Sequence, residues 1–215
     1  MFVEIIWDWN GTLLNDVDYS VAQINKVLTK YKLPNISVEK YREIFTFPVI
    51  DYYKALGFDF DKLDFKLVGM EFIDLYNENL KECKLNKGVI EVLSMFKKNN
   101  IKQGIISARE HNSLLVDLKN FEIDKYLQYC FGIDNNYAAG KDVLFEKYLA
   151  KSQTSRKNIY LIGDTTHDCE IAEKFGLNFI LFEKGHQNFS HFNGCRIFEK
   201  IDDISKLSEI IYERN

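Results

Sequence analysis

The amino-acid sequence predicts an α/β fold in which a parallel β-sheet, covered by helices on both faces, is interrupted by one long helical insertion. Three observations point to this fold. Residues 2–7 form a short apolar run that ends in turn residues, which is typical of a buried strand. From about residue 16 to 98, apolar residues recur at intervals of three and four, and we expect no strand there. After Gly88, strand and helix patterns alternate, as in right-handed βαβ units.

The alternating region gives the order of the remaining elements. The predicted strands are 103–106, 129–132, 158–162, 178–182 and 195–198, and the predicted helices are 90–98, 111–121, 141–150, 167–175 and 201–212. The first strand must join this sheet, because a single strand has no partner. We therefore predict an α/β domain of residues 1–14 and 88–215, and a helical domain of residues 15–87 placed as a lid over the carboxyl edge of the sheet, where such sheets bind ligands.

Composition limits the classes of partner. The chain has 215 residues, 46% of them hydrophobic, and a net charge of −4 without a long basic run. This charge pattern does not favour binding to nucleic acid or to an anionic membrane, and we expect a small-molecule partner. The four cysteines form no C-x-x-C pair and no secretory segment opens the chain, so we expect reduced thiols and a cytoplasmic location.

Five side chains that could take part in catalysis lie at or just after the predicted strand ends. They are Asp8, Ser107, Lys141, Asp164 and Asp168. Because the carboxyl ends of parallel strands meet at one edge, we expect these groups to converge. A dianionic phosphate needs such a set: a hydroxyl that donates a hydrogen bond, an ammonium that balances charge, and acids that hold a hard cation.

Each of these residues also has a simpler structural explanation. Asp8 can begin a turn, and Lys141 can be an ordinary solvated lysine. Ser107 and Glu110 have the spacing of a capping box, and Asp168 can favour a helix N-terminus. The combination favours phosphate chemistry, since four separate strand ends would otherwise imitate one site by chance.

Four segments carry a resemblance to a known family. They are Asp8-Trp9-Asn10-Gly11-Thr12-Leu13-Leu14, Ser107, Lys141 and Gly163-Asp164-Thr165-Thr166-His167-Asp168. In this order they resemble the four motifs of the haloacid dehalogenase-like hydrolases. The helical insertion, with Arg42-Glu43-Ile44-Phe45-Thr46-Phe47-Pro48, Tyr52-Tyr53 and Leu56-Gly57, resembles the cap of the branch that contains phosphoglycolate phosphatases. The resemblance implies a Rossmann-like core with an inserted α-helical cap domain.

The same resemblance implies a reaction and a set of roles. Asp8 would take the phosphoryl group as an aspartyl phosphate, which water would then hydrolyse. Mg²⁺ would bind the Asp8 and Asp164 carboxylates and the backbone carbonyl of Asn10, with Asp168 nearby. The phosphate contacts would come from Gly11, Thr12, Ser107 and Lys141. The expected partner is a small phosphorylated metabolite, phosphoglycolate among the candidates, and the expected state is a monomer or homodimer.

The sequence departs from the family pattern at Asn10, where most phosphatases of the family carry a second Asp that protonates the leaving group. An amide cannot act as a general acid or base, and the loss of such a group costs about 10²–10⁴-fold in rate. Three readings stay open. The substrate can have a good leaving group, such as an acyl phosphate or an anhydride. Another group, His167 or Glu43, can replace the acid. The chain can also be a phospholigand-binding or regulatory protein with little turnover.

Several further residues are candidates for contact with the substrate. Arg42 and Thr46 in the cap, and Arg109 after Ser107, are the predicted specificity residues, although Arg109 and His111 can equally be exposed helix residues. The segment Gly185-His186-Gln187 follows the strand after Asp168 and can flank the site, although a surface turn is the simpler interpretation. The aromatic residues Phe45, Phe47, Tyr52 and Tyr53 are interpreted as cap packing in preference to a platform on which a ligand stacks. A phosphonate-cleaving relative would need a Schiff-base lysine in the cap, for which Lys26 and Lys30 are available.

Overall fold

The computed structural model of the chain describes residues 3–134 and 140–213. In chain order the strands are β1 (Glu4–Trp7), β2 (Leu14–Asn15), β3 (Lys84–Leu85), β4 (Lys102–Glu110), β5 (Tyr129–Ile133), β6 (Ile159–Gly163), β7 (Asn178–Phe182) and β8 (Glu199–Ile201). Six of these strands form a parallel sheet in the order β5-β4-β1-β6-β7-β8. The predicted α/β fold with a Rossmann-like parallel sheet is confirmed.

The helices of the described ranges cover this sheet and form the insertion. They are α1 (Val17–Lys30), α2 (Val38–Ile44), α3 (Val49–Ala55), α4 (Phe65–Glu78), α5 (Val89–Lys98), α6 (His111–Asn120), α7 (Lys141–Leu149), α8 (Thr166–Phe175) and α9 (Leu207–Glu213). None of these described helices has the length and apolarity needed to cross a lipid bilayer.

Strand β1 lies at the centre of the sheet, and its side chains supply both faces. Successive residues of a strand point to opposite sides. Ile5 and Trp7 pack into one hydrophobic cluster with residues of α5 and α9, and Ile6 packs into the other cluster with residues of α7 and α8. Both clusters exclude water from β1, which explains why its sequence is a continuous apolar run. Asp8 therefore follows the most deeply buried strand of the sheet.

Helices α1 to α4 form a unit that we call the helical insert. It has its own hydrophobic cluster, built around Val21, Ile24, Tyr41 and Tyr53. The chain passes between the sheet and the insert through β2 and β3, which pair antiparallel. The sequence-based expectation that no strand interrupts residues 16–98 is wrong at β3, because two residues are too short to produce a strand pattern. The limits of the two domains stay a prediction.

Three predicted elements are corrected. Strand β4 extends to Glu110, so Ser107 lies inside the strand and not after it. Helix α6 begins at His111, and the Glu110 carboxylate accepts hydrogen bonds from the first free N–H groups, so the capping box of Ser107 and Glu110 is absent. The last strand is Glu199–Ile201 instead of 195–198, and the last helix begins at Leu207 instead of residue 201.

The cysteines give another correction. Cys169 in α8 and Cys195 before β8 form a disulfide, with a Cα–Cα distance of 6.3 Å that such a bond can span. The expectation of four reduced thiols is therefore wrong for this pair. The two residues are 26 positions apart in sequence, and only the packing of α8 beside the segment before β8 brings them together. Cys83 and Cys130 are free.

Candidate active site

The site is centred on Asp8, immediately after β1. Its backbone N–H donates to the carbonyl of Ile162 over 2.9 Å, which ties the residue to β6. Lys141, the first residue of α7, donates from Nζ to Asp8 Oδ1 at 2.5 Å and to Asp168 Oδ1 at 2.6 Å. All three side chains are nearly inaccessible to solvent. A single ammonium thus bridges two buried carboxylates.

Asp164 lies at the end of β6 and is held by neighbours from two other segments. Thr12 Oγ1 donates to Asp164 Oδ1 at 3.0 Å, and the backbone N–H of His186 donates to Oδ2 at 2.6 Å. Gly11 has a φ of +70°, and a Cβ at this position would overlap the Asp164 carboxylate and the His186 ring. The turn after Asp8 therefore requires glycine both for its backbone conformation and for the close approach of Asp164.

The charges of these groups are strongly coupled. Burial, together with nearby Asp168 and Asp164, raises the pKa of Asp8 to about 8 in spite of Lys141. Burial also raises the pKa of Asp164 to about 6. Burial opposes ionisation of Asp168, but Lys141 and Thr165 outweigh it and hold its pKa below the ordinary value. The site holds more negative charge than Lys141 balances.

The donor set fits a divalent cation. One oxygen from each of Asp8, Asp164 and Asp168 can be chosen so that all three lie within 4.8 Å of one another. Carboxylate oxygens are the ligands that Mg²⁺ prefers, and two added positive charges would counter the burial and the neighbouring acids that raise the pKa of Asp8. Asp168 also has a structural part, because its Oδ2 accepts hydrogen bonds from the N–H and hydroxyl of Thr165 at the start of α8.

Asp16, which sequence reasoning assigned only to the start of a helix, belongs to this site. Its carboxylate is fully buried and accepts from Asn10 Nδ2 at 3.0 Å, from the Tyr76 hydroxyl at 2.5 Å and from the Gly11 N–H at 2.7 Å. Tyr76 also accepts a hydrogen bond from Asn10 at 2.7 Å. The Asn10 amide is thus fixed between an acid and a phenol. The sequence feature that could have indicated a role for Asp16 in the site is its position as an acid eight residues after Asp8.

His186 completes the Asp16 network. Its Nε2 lies 3.3 Å from Asp16 Oδ1, and its Nδ1 is 2.8 Å from the Tyr41 hydroxyl. Burial alone would lower its pKa, but Asp16 raises the pKa of His186 to about 9. The ring is therefore protonated at neutral pH and forms a buried ion pair. The interpretation of residues 185–187 as a surface turn is wrong, because His186 and Gln187 are both buried and Gln187 donates to the carbonyl of Phe45.

The predicted specificity residues lie in different places. Arg42 donates to the carbonyls of Gly185 at 2.9 Å and Lys184 at 2.7 Å, so its guanidinium connects the insert to the sheet domain. Neither Arg42 nor Thr46 lines the cavity beside Asp8. Arg109 does line this cavity. It belongs to β4, not to a helix, and its Nε donates to Asp117 at 2.9 Å.

The candidates for a replacement acid separate in the same way. His167 lines the cavity and its ring packs against Phe47 at a centroid distance of 5.3 Å. Glu43 is absent from the cavity lining and pairs with Lys40 on the surface. Lys26, one of the two lysines available for a Schiff base, donates to Gln23, and Lys30 pairs with Glu71. Neither lysine lines the cavity.

The cavity itself has a volume of about 220 Å³ and lies between the sheet domain and the helical insert. Its sheet side includes Asp8, Asn10, Ser107 and Lys141. Its insert side is lined by aromatic residues, among them Phe45, Phe47, Tyr52, Tyr53, Phe65 and Phe72. The aromatic residues interpreted as packing therefore also face the space beside the acids.

Comparison with known proteins agrees with this architecture. The sequence model of the haloacid dehalogenase-like hydrolase family matches residues 5–182, which is most of the chain. The chain belongs to this family of hydrolases, which confirms the resemblance seen in the sequence.

Individual relatives are more distant. The pyrophosphatase PpaX of Listeria welshimeri is 26% identical over 122 residues, and the match spans 55% of this chain and 56% of that protein, about half its length. A predicted phosphoglycolate phosphatase from Haemophilus somnus superposes with a TM-score of 0.80 at 20% identity, over 97% of both chains. A predicted phosphatase from Clostridium acetobutylicum gives 0.83 at 15% identity, over 99% of this chain and 100% of that one. At these identities the two structures establish the fold.

Proposed function

We propose that the chain is a magnesium-dependent phosphatase that hydrolyses a small phosphorylated metabolite through a phosphorylated Asp8. The observation that carries the proposal is the meeting of Asp8, Lys141 and Asp164 at the carboxyl edge of the sheet, in a chain of the haloacid dehalogenase-like hydrolase family. The acids alone could serve another purpose. The buried lysine between Asp8 and Asp168 supports a site made for an anionic substrate beside an anionic nucleophile.

In the first step an Asp8 carboxylate oxygen attacks phosphorus, and the bond from phosphorus to the leaving oxygen breaks with its electron pair on that oxygen. Lys141 balances the charge that accumulates between Asp8 and the phosphoryl group, and the Ser107 hydroxyl, which lines the cavity, donates to a phosphoryl oxygen. The Gly11 N–H and the Thr12 hydroxyl, also expected to contact phosphate, donate here to Asp16 and Asp164, so they bind phosphate only after exchanging these partners. Bound Mg²⁺, held by Asp8, Asp164 and the backbone carbonyl of Asn10 with Asp168 nearby, would supply positive charge that keeps Asp8 ionised.

In the second step water attacks the phosphorylated Asp8. The bond between phosphorus and the Asp8 oxygen breaks, inorganic phosphate forms, and the proton from water passes to the solvent. Asn10 can orient groups by hydrogen bonding but can neither donate nor remove this proton. The first step therefore favours a leaving oxygen of low basicity. Anhydrides such as pyrophosphate, the substrate class in the name of the PpaX relatives, meet this condition better than phosphoglycolate, whose alkoxide needs a proton.

A second candidate function is a phospholigand-binding or regulatory protein with weak turnover. It is favoured by one observation: both hydrogen atoms of the Asn10 amide are used, one toward Asp16 and one toward Tyr76. Most phosphatases of the family carry a proton-donating Asp at this position. Here the position is occupied by a fixed amide, which does not exchange protons with a substrate.

The test is release of inorganic phosphate from acyl, aryl and alkyl phosphates, pyrophosphate, phosphoglycolate and sugar phosphates, with magnesium or with EDTA. Wild type is compared with Asp8→Asn and with Asp51→Asn, a matched change at a surface residue of α3. Magnesium-dependent release that Asp8→Asn abolishes and Asp51→Asn retains supports the phosphatase. Binding of phosphate without release from any substrate supports the second candidate. Intact mass must confirm Asn10 in each sample, because Asn-Gly pairs deamidate.

A further inference from the structure

Arg109 lines the cavity beside Asp8 with most of its hydrogen-bonding capacity unused. A guanidinium carries five N–H donors, four of them on its two terminal nitrogens. The Nε of Arg109 donates to Asp117 at 2.9 Å. Both terminal nitrogens lack a hydrogen-bond partner within the described ranges, and both keep accessible surface. Arg109 therefore offers free donors on a permanent cation in the cavity wall.

Two contacts fix the place of this guanidinium. Asp117 of α6 holds its Nε edge, and the guanidinium carbon lies 5.3 Å from the centre of the Tyr76 ring of α4. The Arg109 side chain is only 9% exposed, and its backbone N–H donates to Ser107 Oγ at 3.1 Å. An arginine that is already held in one position loses little further side-chain entropy when it binds an anion. The guanidinium is thus a preformed anion-binding group.

The guanidinium lies on the side of the cavity that we expect the leaving group to occupy. Most phosphatases of the family carry the proton donor to the leaving group at the position of Asn10, so this residue marks that side. Tyr76 accepts a hydrogen bond from Asn10 at 2.7 Å, and Arg109 packs over the same Tyr76 ring. Lys141, the other permanent cation of the described lining, donates instead to Asp8, the proposed nucleophile. The two cations would therefore lie near different ends of a bound substrate.

The surroundings of the guanidinium favour an anionic partner over a neutral one. Tyr76 and its ring neighbour Phe72 both line the cavity, so aromatic surface adjoins the free donors. A substrate that fills this space displaces the water around the donors, and a neutral group replaces that water only in part. A carboxylate or a phosphate can accept two parallel hydrogen bonds from the guanidinium fork and offset its charge.

We infer that Arg109 is a specificity-determining residue and that the preferred substrate carries a second anionic group, a carboxylate or a phosphate, on its leaving group. The terminal nitrogens of Arg109 bind this second group, while Asp8 and Lys141 act on the phosphoryl group. The inference rests on the proposed phosphatase function and deepens it. The reaction is unchanged: the bond from phosphorus to the leaving oxygen breaks, and the electron pair departs with the anionic product.

Two pairs of substrates test the inference, each pair differing in the charge of the leaving group. 4-Carboxyphenyl phosphate is compared with 4-carbamoylphenyl phosphate, which has a neutral substituent of similar size. Pyrophosphate is compared with acetyl phosphate, an anhydride whose leaving group has no second anionic group. The anionic-to-neutral ratio of kcat/KM is measured in each pair. Intrinsic reactivity cancels when this ratio is compared between variants, and the two pairs distinguish a carboxylate from a phosphate.

Arg109→Gln should lower the anionic-to-neutral ratio about tenfold or more in at least one pair, because it removes the charged partner of the second group. Arg196→Gln, at an exposed arginine outside the cavity, is the matched control and should keep the wild-type ratios. If Arg109 held the transferred phosphoryl group instead, Arg109→Gln would slow all four substrates alike. Unchanged ratios would overturn the inference and leave the phosphatase intact. Absence of release from all four substrates, without phosphorylation of Asp8, would overturn both.

A double variant separates binding from the structural part of the Arg109–Asp117 ion pair. Arg109→Gln leaves the buried Asp117 carboxylate without its partner and should lower the unfolding temperature. Arg109→Gln/Asp117→Asn removes both charges, so we expect most of this stability to return while the anionic-to-neutral ratio stays low. A return of the wild-type ratio together with stability would show that Arg109 acts only by holding the fold, and would overturn the inference.

Discussion

The two sides of the cavity differ in how their residues are held. On the sheet side, Asp8, Lys141 and Asp164 each make direct contacts with groups from other segments, and their charges are coupled. On the insert side, the aromatic residues are held by ring packing, and Tyr52 lacks a partner among the described residues. The proposed reaction therefore depends on groups of the sheet side, and we expect the insert side to select among substrates. Except at Arg109, which packs against the insert, changes on the first side should alter turnover or stability, and changes on the second should alter ratios between substrates.

The largest expected effect is on turnover in Asp8→Asn. The amide cannot form the phosphorylated residue, so the phosphatase rate should fall by a factor on the order of 10⁴ or more. The fold should survive, because burial already raises the pKa of Asp8 to about 8 and disfavours its charge. Phosphate assays and thermal unfolding, both in EDTA and in magnesium, check this. Loss of the folded state would show that Asp8 has a structural role instead.

Lys141→Met should destabilise the protein by about 3–5 kcal/mol, because it leaves the buried Asp8 and Asp168 carboxylates without their shared cation. Lys147→Met, at an exposed position of the same helix, is the matched control and should change stability little. Urea unfolding of both variants gives the comparison. Equal stabilities would contradict the central place of Lys141 in the charge balance.

The His186 ion pair should make stability depend on pH. Asp16 raises the pKa of His186 from an ordinary 6.5 to about 9. Its stabilising effect is fully present below pH 6.5 and disappears as the pH rises through about 9. Since a tenfold change in proton affinity is worth about 1.4 kcal/mol, the effect is up to about 3 kcal/mol. The difference in unfolding free energy between wild type and His186→Gln should therefore shrink over this range, and a constant difference would refute the ion pair.

Asn10→Asp should give the smallest change, a gain of about tenfold for alkyl phosphates relative to aryl phosphates. The new carboxylate would face Asp16 where the amide now donates at 3.0 Å, and two adjacent carboxylates retain a proton between them. That proton can be given to a basic leaving group. Asn10→Leu, of similar size but without a proton to give, should show no such gain. A gain of equal size for aryl and alkyl esters would contradict this account.

The fold and the position of the reacting groups follow from local sequence patterns. The apolar run before Asp8 and the alternating strand and helix patterns after Gly88 predict the sheet. Parallel strands then bring their carboxyl ends together whatever the intervening sequence. Asp16 was not assigned to the site, and His186 was given only as a residue that can flank it, because their partnership depends on how the insert packs against the loop after β7. The same packing decides the role of Arg42. Its positive charge suggested a contact with the substrate, but its guanidinium donates to two backbone carbonyls of the loop after β7.

The most direct test of the central claim is detection of a phosphoryl group on Asp8. Wild type and Asp8→Asn are mixed with phenyl phosphate or acetyl phosphate and magnesium, quenched in acid within the first turnover, and analysed by intact mass and peptide mapping. The account predicts an added phosphoryl group on the peptide that contains Asp8 in wild type, and none in Asp8→Asn. Phosphate release without any phosphorylated peptide, or the same release by Asp8→Asn, would contradict it.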